Sequence, residues 1–315
     1  MRRRDVLTRL SASIATSAAF ASLSASSLVS SRALAAVPLA KKYPIVNSPG
    51  IPFGAYDPHG DFTKTTGLSF EHLFLPWLDV DLATLPIADA YARARGRALL
   101  ITIEPWSWAL DKRVSPDRLR QELLTGKYDP IIESVTKAVN ELTSDVTLRF
   151  AHEMEDLTGR FPWSGWNARD YITAYRRFVD LGRRFAPRAK HMWSPLGFPN
   201  LTAYYPGDNY ADSIGLTVFG LQQFDIDNFG RNRTFGEILK PAYDLVVRYN
   251  KPIVVAEVGY VGDQDYVNDW AASVNRLDAR FPGLTGVVYF NDREVHPWPA
   301  PYGLPDWRVV AEGIM

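Results

Sequence analysis

The chain of 315 residues is 46% hydrophobic and 22% charged, with 35 basic and 35 acidic side chains and no cysteine. Such a composition is that of a globular protein with a sizeable core, and it excludes disulfides, thiolate metal sites and cysteine nucleophiles. With no net charge, the chain lacks the basic excess that phosphate neutralisation requires, so no nucleic-acid partner is expected.

Residues 1–35 read as an export signal of the twin-arginine type. Arg2-Arg3-Arg4-Asp5-Val6-Leu7 opens it, a weakly apolar Ala/Ser-rich stretch follows from Ser11 to Val29, and Ala33-Leu34-Ala35 supplies a small-x-small cleavage site. The mature chain would then begin near Ala36, carry a net charge of −4, and act in the periplasm or outside the cell. The stretch is too polar to span a bilayer, and no later apolar run is long enough to do so. A monomer is expected.

From there on, short apolar runs alternate with helical patterns. Strands are expected at Pro52–Tyr56, Phe70–Pro76, Ala98–Ile103, Val146–Ala151, His191–Ser194, Ser213–Val218, Ile253–Ala256 and Gly286–Phe290. Helices are expected at Leu82–Arg95, Tyr128–Leu142, Ala168–Phe185 (with Asn167 as N-cap), Phe235–Tyr249 and Tyr266–Arg280. Eight strands alternating with helices fit a single (β/α)8 TIM barrel over residues 36–315, although the crossovers Asp57–Ser69 and Pro195–Asp212 look poorly helical. A doubly wound sheet would carry a glycine-rich phosphate turn, and none is found.

A barrel of this kind places its active site at the C-terminal ends of its strands. Seven of the nine tryptophans fall at or beyond those ends: Trp77, Trp106, Trp108, Trp163, Trp166, Trp193 and Trp298. Indole faces around a cleft suit the C–H faces of sugar rings, whereas core packing is the ordinary alternative. Three glutamates end apolar strands: Glu104 the third, Glu153 the fourth and Glu257 the seventh. A carboxylate in that position is costly unless it has a partner or a task. Two of them facing one another could hydrolyse a glycosidic bond, one protonating the leaving oxygen and the other attacking the anomeric carbon. The alternative is a structural ion pair, for instance with Arg149 or Arg293. Asn291 and Trp298, just beyond the eighth strand, are further candidates for substrate contact.

Several segments together resemble glycoside hydrolase family 26, a family of β-mannanases and β-glucanases. These are Arg149-Phe150-Ala151-His152-Glu153-Met154 with Trp163 and Trp166, Met192-Trp193-Ser194-Pro195, Tyr204-Tyr205-Pro206-Gly207-Asp208-Asn209-Tyr210-Ala211-Asp212, and Lys251-Pro252 leading to Glu257-Val258-Gly259. The resemblance covers about residues 146–291. It implies a retaining mechanism with Glu153 as acid/base and Glu257 as nucleophile. It also implies His152 at the cleaved sugar and Trp163 or Trp166 as a stacking platform. Two departures stand out. Glu155 replaces an Asn, and Thr217-Val218-Phe219 replaces an Asp-Gly-Tyr run, so that Phe219 cannot donate a hydrogen bond to Glu257 as the family tyrosine does.

The expectation is an exported endo-β-glycanase acting on a polysaccharide, with no cofactor and no metal. The catalytic pair is Glu153 and Glu257, and the substrate contacts are His152, Glu104, Trp106, Trp163, Trp166, Trp193, Phe219, Asn291 and Trp298. A zinc hydrolase would need the second histidine of H-E-x-x-H, and a serine hydrolase G-x-S-x-G; both are absent. The competing class is a barrel that binds glycan without turnover, favoured by Thr217 and Phe219 and opposed by the retention of both glutamates.

Overall fold

The computed structural model describes residues 42–46 and 49–310. The export signal expected over residues 1–35 lies outside them. The strands are β1 (Phe53–Tyr56), β2 (Leu68–Pro76), β3 (Ala98–Glu104), β4 (Val146–Phe150), β5 (Lys190–Trp193), β6 (Ser213–Leu221), β7 (Ile253–Val261) and β8 (Leu284–Phe290). All pair in parallel, each with the next, and β8 closes on β1. This is the (β/α)8 barrel expected from the sequence.

The helices are α1 (Leu85–Arg93), α2 (Pro116–Leu124), α3 (Asp129–Asn140), α4 (Ala168–Phe185), α5 (Gln222–Phe229), α6 (Phe235–Val246) and α7 (Gln264–Ser273). Their starts are written in the sequence. Asn167 accepts a hydrogen bond from the Asp170 amide at 2.9 Å and sets the first turn of α4. Thr234 and Glu237 form a reciprocal capping box on α6. Asp263 caps α7 through the Tyr266 amide at 2.9 Å, so this helix begins two residues before the expected position and stops at Ser273 rather than Arg280. Two helices escaped the periodicity. α2 is short and polar, started by Ser115 and Pro116, and α5 follows β6 directly and ends at Gly230 in the left-handed region with φ 69°. The fifth crossover holds only the short 3-10 turns Pro199–Tyr204 and Asp208–Tyr210.

Strand alternation divides the core in two. Leu99, Ile101, Ile103, Leu148 and Phe150 face the helix layer and join the large outer cluster. Leu100, Met192, Ala256 and Val288, with Phe70 and Val254 against them, fill the floor of the barrel interior. Above that apolar floor the interior turns polar, and the site begins there.

Candidate active site

Arg149 is the inward residue of β4 and is fully buried. Its Nε donates to Ser194 Oγ at 2.8 Å, and its Nη1 donates to Thr102 Oγ1 at 3.3 Å and to Glu257 Oε1 at 2.6 Å. The ion pair considered from the sequence therefore exists for Glu257, whereas Arg293 pairs with Asp306. Gly215 makes room for this layer, because a Cβ there would lie 2.5 Å from Ser194 Oγ. His72 Nε2 meets Thr102 Oγ1 at 2.8 Å on the same level.

Glu257 reaches the interior through a bulge. The β6–β7 register runs Leu216 to Val255 and then Thr217 to Glu257, skipping Ala256. Ala256 and Glu257 consequently both point inward, while Val255 and Val258 pack outward. The strand continues to Val261, well beyond its expected end. Burial, opposed by Arg149 and reinforced by Glu153, pushes the Glu257 carboxyl up to about 7.

Glu153 is placed by a different irregularity. Ala151 and Glu153 have φ values of 45° and 55°, both in the left-handed region, and the Glu153 amide donates to Ser194 O at 2.8 Å. Its Oε1 accepts a hydrogen bond from Thr217 Oγ1 at 2.8 Å. Its Oε2 has no hydrogen-bond partner and lies 3.8 Å from Arg160 Nη1. Arg160 in turn donates to Glu294 Oε1 at 2.8 Å, which ties the loop after β4 to the segment after β8.

One donor atom from each of His152, Glu153 and Glu257 falls within 4.8 Å of the others. Such a set can be weighed as a cation site, but the surroundings oppose it. Arg149 occupies Glu257 Oε1, Thr217 occupies Glu153 Oε1, and two guanidinium groups would repel the ion. His152 is buried, held neutral by burial and by the Arg149 charge, and its Nδ1 is unpartnered. With Arg149 Nη2, His72 Nδ1 and Glu153 Oε2 it makes four buried polar atoms without a hydrogen-bond partner on neighbouring residues of the site. Unsatisfied groups gathered in this way mark a place for a polar ligand or for water.

Other expected contacts lie around this pair. Glu104 is buried and its Oε2 accepts from the indoles of Trp106 at 3.1 Å and Trp108 at 2.7 Å; burial raises its proton affinity against those bonds. Trp106 is half-buried with the Arg113 guanidinium over its ring at 4.0 Å. Phe219 is also half-buried, with Trp307 at 4.7 Å and Phe290 at 6.0 Å. Trp298 sits edge-on to Phe224 at 5.5 Å, toward the outer end of that aromatic side.

Four expected contacts belong to the scaffold instead. Trp193 is fully buried against Tyr205 and Tyr249, on the helix side of β5. Trp163 is fully buried, stacked on Phe161 at 4.7 Å, with its indole N–H donating to His152 O. It supports the His152 backbone and offers no open face. Trp166 is buried and donates to Pro162 O. Asn291 is fully buried; its amide donates to Asp57 Oδ1 at 2.8 Å and Asp61 Oδ2 at 2.9 Å, and its oxygen accepts from the Val309 amide at 2.8 Å. All its hydrogen-bonding capacity but one lone pair serves the fold.

The sequence reading missed several lining groups. Arg149, Thr102 and Ser194 form the polar layer beneath the pair, and Arg160 and Glu294 stand over it. Tyr56, Phe74 and Phe290 build an aromatic wall, with Tyr56 4.8 Å from Phe74 and 5.3 Å from Phe290. The signal for the wall was present: these side chains sit at or near the C-terminal ends of β1, β2 and β8.

Fold and site together define a (β/α)8 barrel with two buried glutamates paired at its C-terminal mouth. Comparison with known proteins bears out the resemblance to glycoside hydrolase family 26. No family profile matches the chain. Endoglucanase H of Acetivibrio thermocellus is 25% identical over 245 residues, covering 73% of this chain and 26% of that protein. A β-1,3-xylanase of an Alcaligenes species is 27% identical over 202 residues, covering 60% of this chain and 39% of that protein. The chain thus spans well under half the length of these curated relatives. Among solved structures, the catalytic domain of a family 26 endo-β-1,4-mannanase from Bacillus sp. JAMB-750 aligns with a TM-score of 0.59 at 15% identity, over 81% of this chain and 79% of that one. A modular family 26 mannanase from Cellulomonas fimi aligns with a TM-score of 0.60 at 15% identity, over 82% and 70%. At that identity the likeness to solved structures is one of fold. Among the described residues, no helix is long and apolar enough to cross a membrane.

Proposed function

We propose that the chain is an exported, retaining endo-β-glycanase in which Glu153 is the acid/base and Glu257 the nucleophile. The observation that carries this reading is the approach of one oxygen of each carboxyl group to within 4.8 Å of an oxygen of the other, in unlike surroundings. Retention needs a separation of about 5–5.5 Å, whereas inversion needs about 6.5–9.5 Å to admit a water. Arg149 favours the ionised form of Glu257, as a nucleophile requires, and Oε2 of Glu153, which accepts no hydrogen bond, has room for the proton. In the first step a Glu257 oxygen bonds to the anomeric carbon while the C–O bond to the leaving sugar breaks. The leaving oxygen keeps the electron pair and takes the Glu153 proton. Water then attacks the anomeric carbon, gives its proton to Glu153, and releases Glu257.

For the substrate we propose a glucose-containing β-linked polysaccharide, such as the organism's own exopolysaccharide, and poor activity on plain β-1,4-mannan. Thr217 and Phe219 support this, since they leave the catalytic subsite without a carboxylate and a phenol hydroxyl where the resembled family has both. One relative matched by sequence is named for a glucanase, which favours glucose, while the two named for β-1,3-xylanases bear only on the departure from mannan. Scoring new reducing ends on β-mannans, β-glucans and native exopolysaccharide tests both parts. No cleavage of any β-glycan removes the enzyme reading in favour of a binding barrel. Mannan cleaved faster than every glucan removes the substrate reading.

A further inference from the structure

The replacement at position 217 reads from the sequence as a loss of a polar group, yet in the structure the Thr217 hydroxyl donates to Glu153 Oε1 at 2.8 Å. Thr217 lies on β6 directly opposite Glu257 in the β6–β7 register, at the bulge that turns Glu257 inward. One strand position thus touches the first glutamate by its side chain and adjoins the second by its backbone. Being β-branched, Thr217 has a restricted χ1, so the hydroxyl is held where the strand puts it. The two oxygens of Glu153 are made unequal: Oε1 accepts a hydrogen bond, and Oε2 accepts none and has only the longer ion-pair contact with Arg160 at 3.8 Å.

We propose that Thr217 is a positioning residue that fixes the rotation of the Glu153 carboxyl and so selects Oε2 as the oxygen that delivers the proton. This rests on the reading of Glu153 as the acid/base. A proton on Oε2 leaves Oε1 able to keep accepting from Thr217, so the bond persists through both protonation states. The bond is stronger to the carboxylate than to the acid, so it also eases release of the proton to the leaving oxygen. The titratable groups facing Glu153 are the neutral His152 and the charged Arg160 from its own loop, Glu257 from β7 with Arg149 of β4 behind it, and Glu294 acting through Arg160. Thr217 carries no charge, so replacing it leaves the balance of charge intact.

The test compares Thr217→Val, which keeps the shape and removes the hydroxyl, with Thr217→Ser, which keeps the hydroxyl. On a polysaccharide, whose leaving group needs the proton, kcat of Thr217→Val should fall about tenfold. On a dinitrophenyl β-glycoside, which leaves unaided, glycosylation should change by less than about threefold. The alkaline limb of kcat/KM should move up, because the carboxylate loses a donor. Thr217→Ser should restore both. Equal losses on both substrates, an unmoved alkaline limb, or no rescue by serine would overturn the proposal. A readout independent of turnover is the carbon-13 titration of the labelled glutamate pair. Its midpoint should rise in Thr217→Val, and an unchanged midpoint counts against Thr217 even if no β-glycan proves to be a substrate.

Discussion

Asn291→Ala separates a scaffold residue from a substrate contact. From the sequence Asn291 looked like a sugar ligand at the end of β8. In the structure it joins the first βα crossover, through Asp57 and Asp61, to the returning C-terminal segment through Val309. Truncation leaves the Val309 amide buried without an acceptor, which costs roughly 1–3 kcal/mol. The lost donation to Asp57 adds roughly 1 kcal/mol, since Asp57 keeps the amides of Gly60, Asp61 and Phe62. Asp61 is half-buried, so water can replace its bond at little cost. The sum is about 3 kcal/mol, and for a domain of this size that lowers Tm by about 6–12 °C. Circular dichroism melts measure the shift, and kcat/KM at a temperature well below the new Tm measures catalysis, which should stay within about threefold of the native value. An unchanged Tm with a KM raised tenfold would refute the scaffold role and return Asn291 to the cleft.

Glu153→Gln should lower polysaccharide turnover by roughly a hundredfold or more, with a smaller loss of glycosylation on activated aryl glycosides, read by initial rates. As the proposed nucleophile, Glu257 must be ionised to attack; since burial pushes its carboxyl up to about 7, kcat/KM should fall as pH drops through about 7, and Arg149→Met should move that limb higher. The same group links pH to stability. Its folded form holds the proton more tightly than the ordinary value of 4.5, so its contribution is full below that value and is lost as pH rises through about 7. Melts of Glu257→Gln across this interval should lack that decline. Trp106→Ala should weaken oligosaccharide binding in calorimetry with a smaller fall in Tm than Trp193→Ala, which should lower Tm with roughly 3–5 kcal/mol lost from the core and leave binding intact.

The barrel was legible because parallel strands covered on both faces read as continuous apolar runs, as at Leu99–Ile103 and Ile253–Ala256. Helices with a wide apolar stripe and a side-chain cap, such as α4, were equally plain. α2 and α5 were not, since short polar helices set by a cap or by the preceding strand carry little periodic signal. The segment after β8 was illegible for a different reason. It is held by particular long-range bonds: Asn291 to Val309, and Lys42 Nζ to Asp306 O at 2.7 Å. Neither leaves a local pattern in the chain.

The site shows a sharper division, and parity along a strand explains it. On β5, Met192 packs inside the barrel, Trp193 packs against the helix layer, and Ser194 comes back inside to hold Arg149. Position at a strand's C-terminal end therefore says how high a side chain lies, and alternation says whether it faces the mouth. Trp193 fails as a sugar platform by that rule alone, and the rule could have been applied to the sequence once Arg149 on β4 was taken as inward. The two glutamates escape it. Glu257 shares the inward face with its neighbour Ala256 only because β7 bulges, and Glu153 follows a left-handed backbone at Ala151. Regular alternation thus governs the residues that build the wall, and local irregularity governs the two that would act. A left-handed conformation at non-glycine residues is costly, and here two such residues sit beside the paired carboxyls. The backbone of the β4 loop is therefore, as much as the identity of the two side chains, part of what sets up the chemistry proposed for this barrel.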